Sequence, residues 1–217
     1  PPPTSAPEPT AEPVAEPAIS LLTEADFSES INRLTGEAVS DPTLLNRRPV
    51  AVKISNAPAI YVRPQSGMSD ADLVFEHVTE GGSTRSTAGF YGSVPPDFGP
   101  SRSARRSDVE LPALYDTALA FSGGSIGVEA KLRNVDFANR VLFVGTAGYY
   151  RTGENKPFEH TLYGSLDGFR QTLTGLGLNN RPTTTSQMPF SDLPPANGTP
   201  AQPINVSYPA FANVGWA

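Results

Sequence analysis

Short apolar runs, each broken by glycine, proline or an acid, set the rhythm of this chain. Residues 50–54 predict a buried strand, and Leu73–Val78 and 84–91 predict two more, with Gly81-Gly82 separating them. Ser69-Asp70 supplies a capped helical turn ahead of the second strand. Residues 117–121 and 141–144 read as further strands, and Gly123-Gly124 closes the first of these. Helical spacing is clearest after Ser165, where Leu166, Phe169, Leu173 and Leu176 fall on one face. Shorter helices are predicted over 24–33, from Ser107 or Asp108 toward Tyr115, and over 125–133. Asp41-Pro42 and Arg48-Pro49 mark turns, because the residue before proline avoids the helical region. Strands and helices alternate without a repeat, which predicts an α+β or layered α/β fold and not a barrel.

The two ends have a different composition. Residues 1–18 are almost entirely Pro, Ala, Glu, Thr and Ser. Such a segment has little to bury and favours extended polyproline geometry, so it is expected to act as a tether. Residues 181–203 return to Pro, Thr, Ser, Asn and Gly and predict an interdomain linker or long surface loop. The main domain is then 19–180. Residues 204–208 alternate like a strand, and the chain stops soon after, at Trp216-Ala217. A lone strand lacks partners, so 204–217 is expected to begin a second domain whose continuation is missing.

Composition narrows the classes. The 217 residues include 23 Pro and 19 Gly, carry a net charge of −6 and contain no cysteine. The acidic balance argues against a general nucleic-acid binder. Without cysteine there is no disulfide, thiolate metal site or thiol nucleophile within the chain. No apolar run reaches the roughly 18 residues that a spanning helix needs.

Four arginines, Arg63, Arg85, Arg102 and Arg105, stand beside glycines and acids. A guanidinium is a planar fork of donors suited to carboxylate or phosphate. These residues are candidate ligands for an anion, and Arg85, Arg102 and Arg105 are expected to line one site. The alternative is that they pair with Asp70, Asp72, Glu76 and Glu80 and tie loops together. Glu76, inside an apolar strand, and Glu80 are the candidate general acids or bases. His160 follows the polar stretch 151–156 and is a third candidate, whereas His77 alternates with buried positions and reads as structural. Gly123-Gly124-Ser125-Ile126-Gly127 matches a nucleophile elbow, but Ser125 serves equally as a helix cap. Asp70-Ala71-Asp72 lacks calcium-loop spacing, and neither a metal nor a cofactor is expected.

The pieces Arg48-Pro49-Val50-Ala51-Val52, Arg63-Pro64-Gln65-Ser66-Gly67, Ala71-Asp72-Leu73-Val74-Phe75-Glu76, Glu80-Gly81-Gly82, Thr84-Arg85, Gly99-Pro100, Arg102-Ser103-Ala104-Arg105 and Leu162-Tyr163 go together. As a set they resemble the YerB-like family of bacterial lipoproteins, from about residue 34 to 171. The resemblance implies a layered α+β sandwich of two β layers and one helical layer, with mixed sheets. It implies export, and a lipid on a cysteine upstream of Pro1 with residues 1–18 as the stalk. It implies a second domain opening with residues 204–208, so the rest of that domain is an expected partner. Thr161 stands where the family pattern has Asn after the histidine, which weakens the transfer of any role for the His160 loop. No catalytic residue comes with the resemblance. Two functions follow as expectations: an envelope-anchored binding or scaffolding protein for an anionic, phosphate- or carboxylate-bearing glycan, or an envelope hydrolase using Glu76, Glu80 or His160 beside the arginines.

Overall fold

The computed structural model describes residues 27–183, 190–191 and 198–199, with two further strands at Ile204–Val206 and Val214–Trp216. The predicted tether and much of the predicted linker lie outside these residues.

The fold is mixed α+β around a five-stranded sheet. Its strands are β1 (Val50–Ser55), β2 (Leu73–Val78), β3 (Thr84–Phe90), β4 (Ala118–Ala120) and β5 (Val141–Leu142), in the order β2-β3-β1-β4-β5. β1 pairs antiparallel with β3 and parallel with β4, so the central strand is buried along its whole length. β2 pairs antiparallel with β3 and forms one edge, while β5 pairs parallel with β4 at the other.

Alternation along β1 sorts two cores. Val50, Val52 and Ile54 face Phe98 and the apolar stripe Leu166, Phe169 and Leu173 of α4 (Leu166–Gly175). The antiparallel pair β6 (Tyr149–Arg151) and β7 (Leu162–Gly164) joins this side, with Tyr149 packed edge-on against Phe169. Ala51, Leu119 and Phe121 face the other way, onto Val109, Val128 and Leu132. The last two belong to α3 (Ile126–Leu132), whose Lys131 reaches Glu110 of α2 (Glu110–Tyr115) at 3.8 Å, so helices flank the sheet on both faces. The fourth short helix, α1 (Ala59–Val62), follows β1.

The helix expected over 24–33 does not form where it is described. Residues 27–33 make turns and a single bridge between Ile31 and Ala38. Asn32 explains the difference. Its carbonyl oxygen accepts from the Leu34 N–H at 2.9 Å, and its amide donates to Asp72 at 2.6 Å. An asparagine committed to those bonds competes with helical hydrogen bonding. The strand expected over 141–144 is shorter, ending at Leu142. Strand β8 (Ile204–Val206) is not alone: it pairs antiparallel with β9 (Val214–Trp216). Among the described residues, no helix is long and apolar enough to cross a membrane.

Candidate functional site

Lysine 53 sits in the middle of the central strand, fully buried. Register puts Lys53 opposite Thr87 on β3, with Arg85 and His77 one pair further along the same face. Lys53 Nζ donates to Thr87 Oγ1 and to Asp108 Oδ1, both at 3.0 Å, and to His77 Nε2. Thr87 Oγ1 also donates to Asp108 Oδ1 at 2.6 Å, and the other Asp108 oxygen accepts from the Arg105 N–H at 2.6 Å. The three ammonium protons and both carboxylate oxygens are thereby used. A buried ion pair is tolerable only when its remaining hydrogen-bonding capacity is met in this way.

Burial is the main influence on Lys53 and lowers its pKa to about 8, although Asp108 pulls in the opposite direction. Burial, with the Lys53 charge, lowers His77 to about 4. At neutral pH His77 is therefore a neutral acceptor for the lysine, with its side chain 21% exposed.

Above this network lies an open groove of about 690 Å³, lined by His77, Glu80, Ser103, Arg105, Ser107 and Ser125 among others. Arg105 and Ser103 line it, and Arg85 lies behind them, joined to Arg105 through the Ser103 carbonyl. Arg85 Nη1 donates to the Ser103 carbonyl at 2.9 Å, and Arg105 Nη1 donates to the same oxygen at 3.3 Å. Two guanidiniums within hydrogen-bond reach of one carbonyl repel each other. Burial first, and then the charges of Arg105 and Arg102, bring Arg85 down to about 10. Glu80 Oε2 accepts from Arg105 Nε at 2.8 Å, and Glu80 is mostly exposed. Among the described ion pairs, Lys53 and Arg105 meet Asp108 and Glu80, while Arg85 and the groove-lining Arg106 have no described acid partner, so positive charge is in excess beside a concave surface.

The remaining candidates fall elsewhere. Arg102 donates to the Glu159 carbonyl at 3.3 Å, so its head turns to the His160 loop, although its charge is felt at Arg85. His160 is buried and stacks on Tyr61 at 5.4 Å between centroids. Burial and then Arg102 lower its pKa. Arg63 donates to Asn56 Oδ1 at 2.8 Å. Glu76 points to the opposite face of β2 from His77 and accepts from Asn56 at 2.8 Å and Thr84 at 2.5 Å. Of the four acids considered as arginine partners, Asp70, Asp72, Glu76 and Glu80, only Glu80 forms a described ion pair with an arginine. Asp72 instead accepts from the N–H groups of Tyr91 and Gly92. Ser125 lines the groove, yet its hydroxyl accepts from the Val128 N–H and caps α3. No described contact joins Ser125 to His160. No group of acids and histidines able to hold a metal occurs among the described residues.

The sequence gives Lys53 and Thr87 no role, marks Asp108 only as a candidate helix cap, and marks His77 as structural. The available signal was a lysine inside an apolar run at the centre of the sheet, where an ionised group must be paired.

Residues 34–179 match the family model described as "Protein of unknown function (DUF3048) N-terminal domain". A Bacillus subtilis (strain 168) protein described as "Putative lipoprotein YerB" is 35% identical over 161 residues, which cover 73% of this chain and 47% of that protein. The crystal structure of the YerB protein from Bacillus subtilis superposes with a TM-score of 0.62 at 30% identity, covering 75% of this chain and 55% of that one. The chain thus spans about half the length of these relatives.

Proposed function

This chain belongs to the DUF3048 family, and from that premise we propose that it is the ligand-binding part of an extracytoplasmic lipoprotein whose groove holds an anionic envelope ligand. The ligand class is a phosphate- or carboxylate-bearing glycan. The lipid is carried on a cysteine upstream of Pro1, and residues 1–18 are the stalk. The observation that carries the reading is the meeting of Arg85 and Arg105 on the Ser103 carbonyl, with Ser103, Arg105 and Arg106 lining the groove and Arg85 behind them. An oxyanion there relieves the repulsion between the two guanidiniums and accepts their remaining donors. Glu80 acts as a built-in competitor, because it occupies Arg105 from the exposed rim.

The hydrolase alternative is less well supported. Glu76, Glu80 and His160 contact different partners, Asn56 and Thr84 for the first, Arg105 for the second and Tyr61 for the third. Acid–base catalysis needs such groups within reach of one reacting bond.

Calorimetric titration with a phosphorylated glycan and its dephosphorylated counterpart tests the binding reading. Binding of only the phosphorylated form is expected, with Arg105→Gln weakening it about tenfold or more, in line with about 1.5–3 kcal/mol for a hydrogen bond to a charged group. Glu80→Gln is expected to tighten it by freeing Arg105. Equal binding by wild type and the Arg85→Gln, Arg105→Gln double variant would remove the groove from consideration.

A further inference from the structure

One arginine outside the groove is left without any acceptor, and a second lies beside it. Arg170 lies on α4, 4% exposed, and its Nε, Nη1 and Nη2 atoms are all buried with no hydrogen-bond partner. Its neighbour in space is Arg47, whose charge is the largest electrostatic influence on it after burial itself. Arg47 forms no described hydrogen bond or ion pair through its side chain. Both line a cleft of about 380 Å³, together with Asp167, Gln171, Thr174 and Asn179. Positions 167, 170, 171 and 174 recur at helical spacing, so α4 turns one polar face to this cleft and its apolar face to the sheet.

Arg48 shows what this fold does with a buried guanidinium it can satisfy. Arg48 Nε donates to the Leu178 carbonyl at 2.7 Å, Nη1 to Asp116 Oδ1 at 2.5 Å and Nη2 to Asn180 Oδ1 at 3.0 Å. Arg170 has none of this. A guanidinium stays protonated in a protein, so it cannot escape the cost of burial by neutralising. A like charge beside it, with no acceptor between, adds to that cost. The nearby acids do not supply the acceptor. Asp167 and Asp72 attract Arg170, and Arg47 acts on Asp41, but none of these acids forms a described ion pair with either arginine, and Asp72 is engaged by Asn32, Tyr91 and Gly92.

We propose that the Arg47–Arg170 cleft is a second anion-binding site, which closes over a small oxyanion, phosphate or carboxylate, held between the two guanidiniums. The site is separate from the Arg85–Arg105 groove and does not depend on it. Gln171 and Asn179 line the same cleft with amides, the Asn179 nitrogen already donating one bond to Thr174 at 3.0 Å. Arg47 is partly exposed, while Arg170 is the buried donor. The shared requirement is a pair of oxygens able to bridge two forks.

Thermal unfolding of the 217-residue chain tests the proposal, in chloride, inorganic phosphate and succinate at one ionic strength. A rise of about 3–6 °C is expected at an anion concentration about tenfold above Kd. Arg105→Gln is expected to keep the response, and Arg47→Gln and Arg170→Met to lose it. In chloride, Arg170→Met is expected to be at least as stable as wild type, since the charge it removes has no partner. A response to phosphate alone assigns a phosphate ligand, to succinate alone a carboxylate, and to both the shared oxyanion chemistry. No response to either anion, or an undiminished response in Arg47→Gln, overturns the site. If Arg170→Met fails to fold, Arg47→Gln and Arg105→Gln still decide between these outcomes.

Discussion

Lys53 concentrates the physical tension of this protein in one residue. It is fully buried in the central strand and survives there because Thr87, His77 and Asp108 take all its protons. Asp108→Asn removes the counter-charge and leaves the ammonium buried. The expected loss is about 3–5 kcal/mol, read as a lower urea midpoint with unchanged slope. The titrations carry definite signs. His77 has a folded pKa of about 4 against an ordinary 6.5, so the folded state binds fewer protons between those values. Stability is complete above about pH 6.5 and falls as the pH drops toward 4. Lys53 is also depressed, to about 8 from 10.5, so its destabilising contribution is complete below pH 8 and is relieved as pH rises toward 10.5. His77→Asn should therefore flatten the stability curve on the acid side only. In NMR, the His77 ring protons should titrate well below pH 6. A midpoint near 6.5 would mean that the lysine does not face that ring. None of this was visible from spacing alone. Lys53 reads as one polar position in an apolar run until β1–β3 register sets it against Thr87, and Asp108 arrives from 55 residues away.

Elements were more legible than residues. The strands over 50–54, 73–78 and 84–91 and the helix after Ser165 appear where their periodicity placed them, because each buries a face whose pattern is local. The segment 27–33 failed because Asn32 is held by Asp72, a contact across 40 residues that no local pattern encodes. The seating of α4 depends on another such feature. A Cβ on Gly168 would lie 2.5 Å from the Gly148 Cα, so helix and loop meet backbone to backbone. Gly148 itself has φ near +112°, a conformation that side chains resist. Gly168→Ala gains helix propensity, worth about 1 kcal/mol in an open helix. Here the clash must be relieved by lifting α4, and overpacking of this kind costs about 1–3 kcal/mol. The net expectation is a lower Tm, with loss of hydrogen-exchange protection in α4 first. A Gly168→Ala variant as stable as wild type would show that the helix can shift freely over the loop. Gly175, with nothing within 4 Å of its virtual Cβ, is the matched control and should gain or hold stability as alanine.

At the scale of the whole molecule, the question is where the folded domain stops. The composition change suggested a boundary at residue 180. The hydrogen bonds carry the domain slightly further. Arg48 is fixed by the Leu178 carbonyl and by Asn180, its own N–H is taken by Asn179 at 3.2 Å, and Asp116 accepts from the Thr183 N–H at 2.8 Å. Arg140 also reaches Asp116, at 2.9 Å, so one carboxylate ties β4, β5 and the segment after α4 together. Composition suggests a change near residue 180 but not these ties, because they depend on Arg48 being buried beside the chain's own exit from α4. A chain ending after Thr183 keeps every one of them and is expected to unfold cooperatively at a Tm close to that of the full 217 residues. A chain ending after Gly177 deletes Leu178, Asn179, Asn180 and Thr183 at once. Arg48 then keeps Asp116 but loses the acceptors of its Nε and Nη2. Two hydrogen bonds from a buried charge, at about 1.5–3 kcal/mol each, make a loss of about 3–6 kcal/mol. For a domain of this size that is a large share of total stability, and partial unfolding at room temperature is the expected result. Urea titration of the two truncated chains distinguishes the cases. Equal midpoints would mean that residues 178–183 rest on a domain already complete at the end of α4, and that Arg48 is satisfied from within.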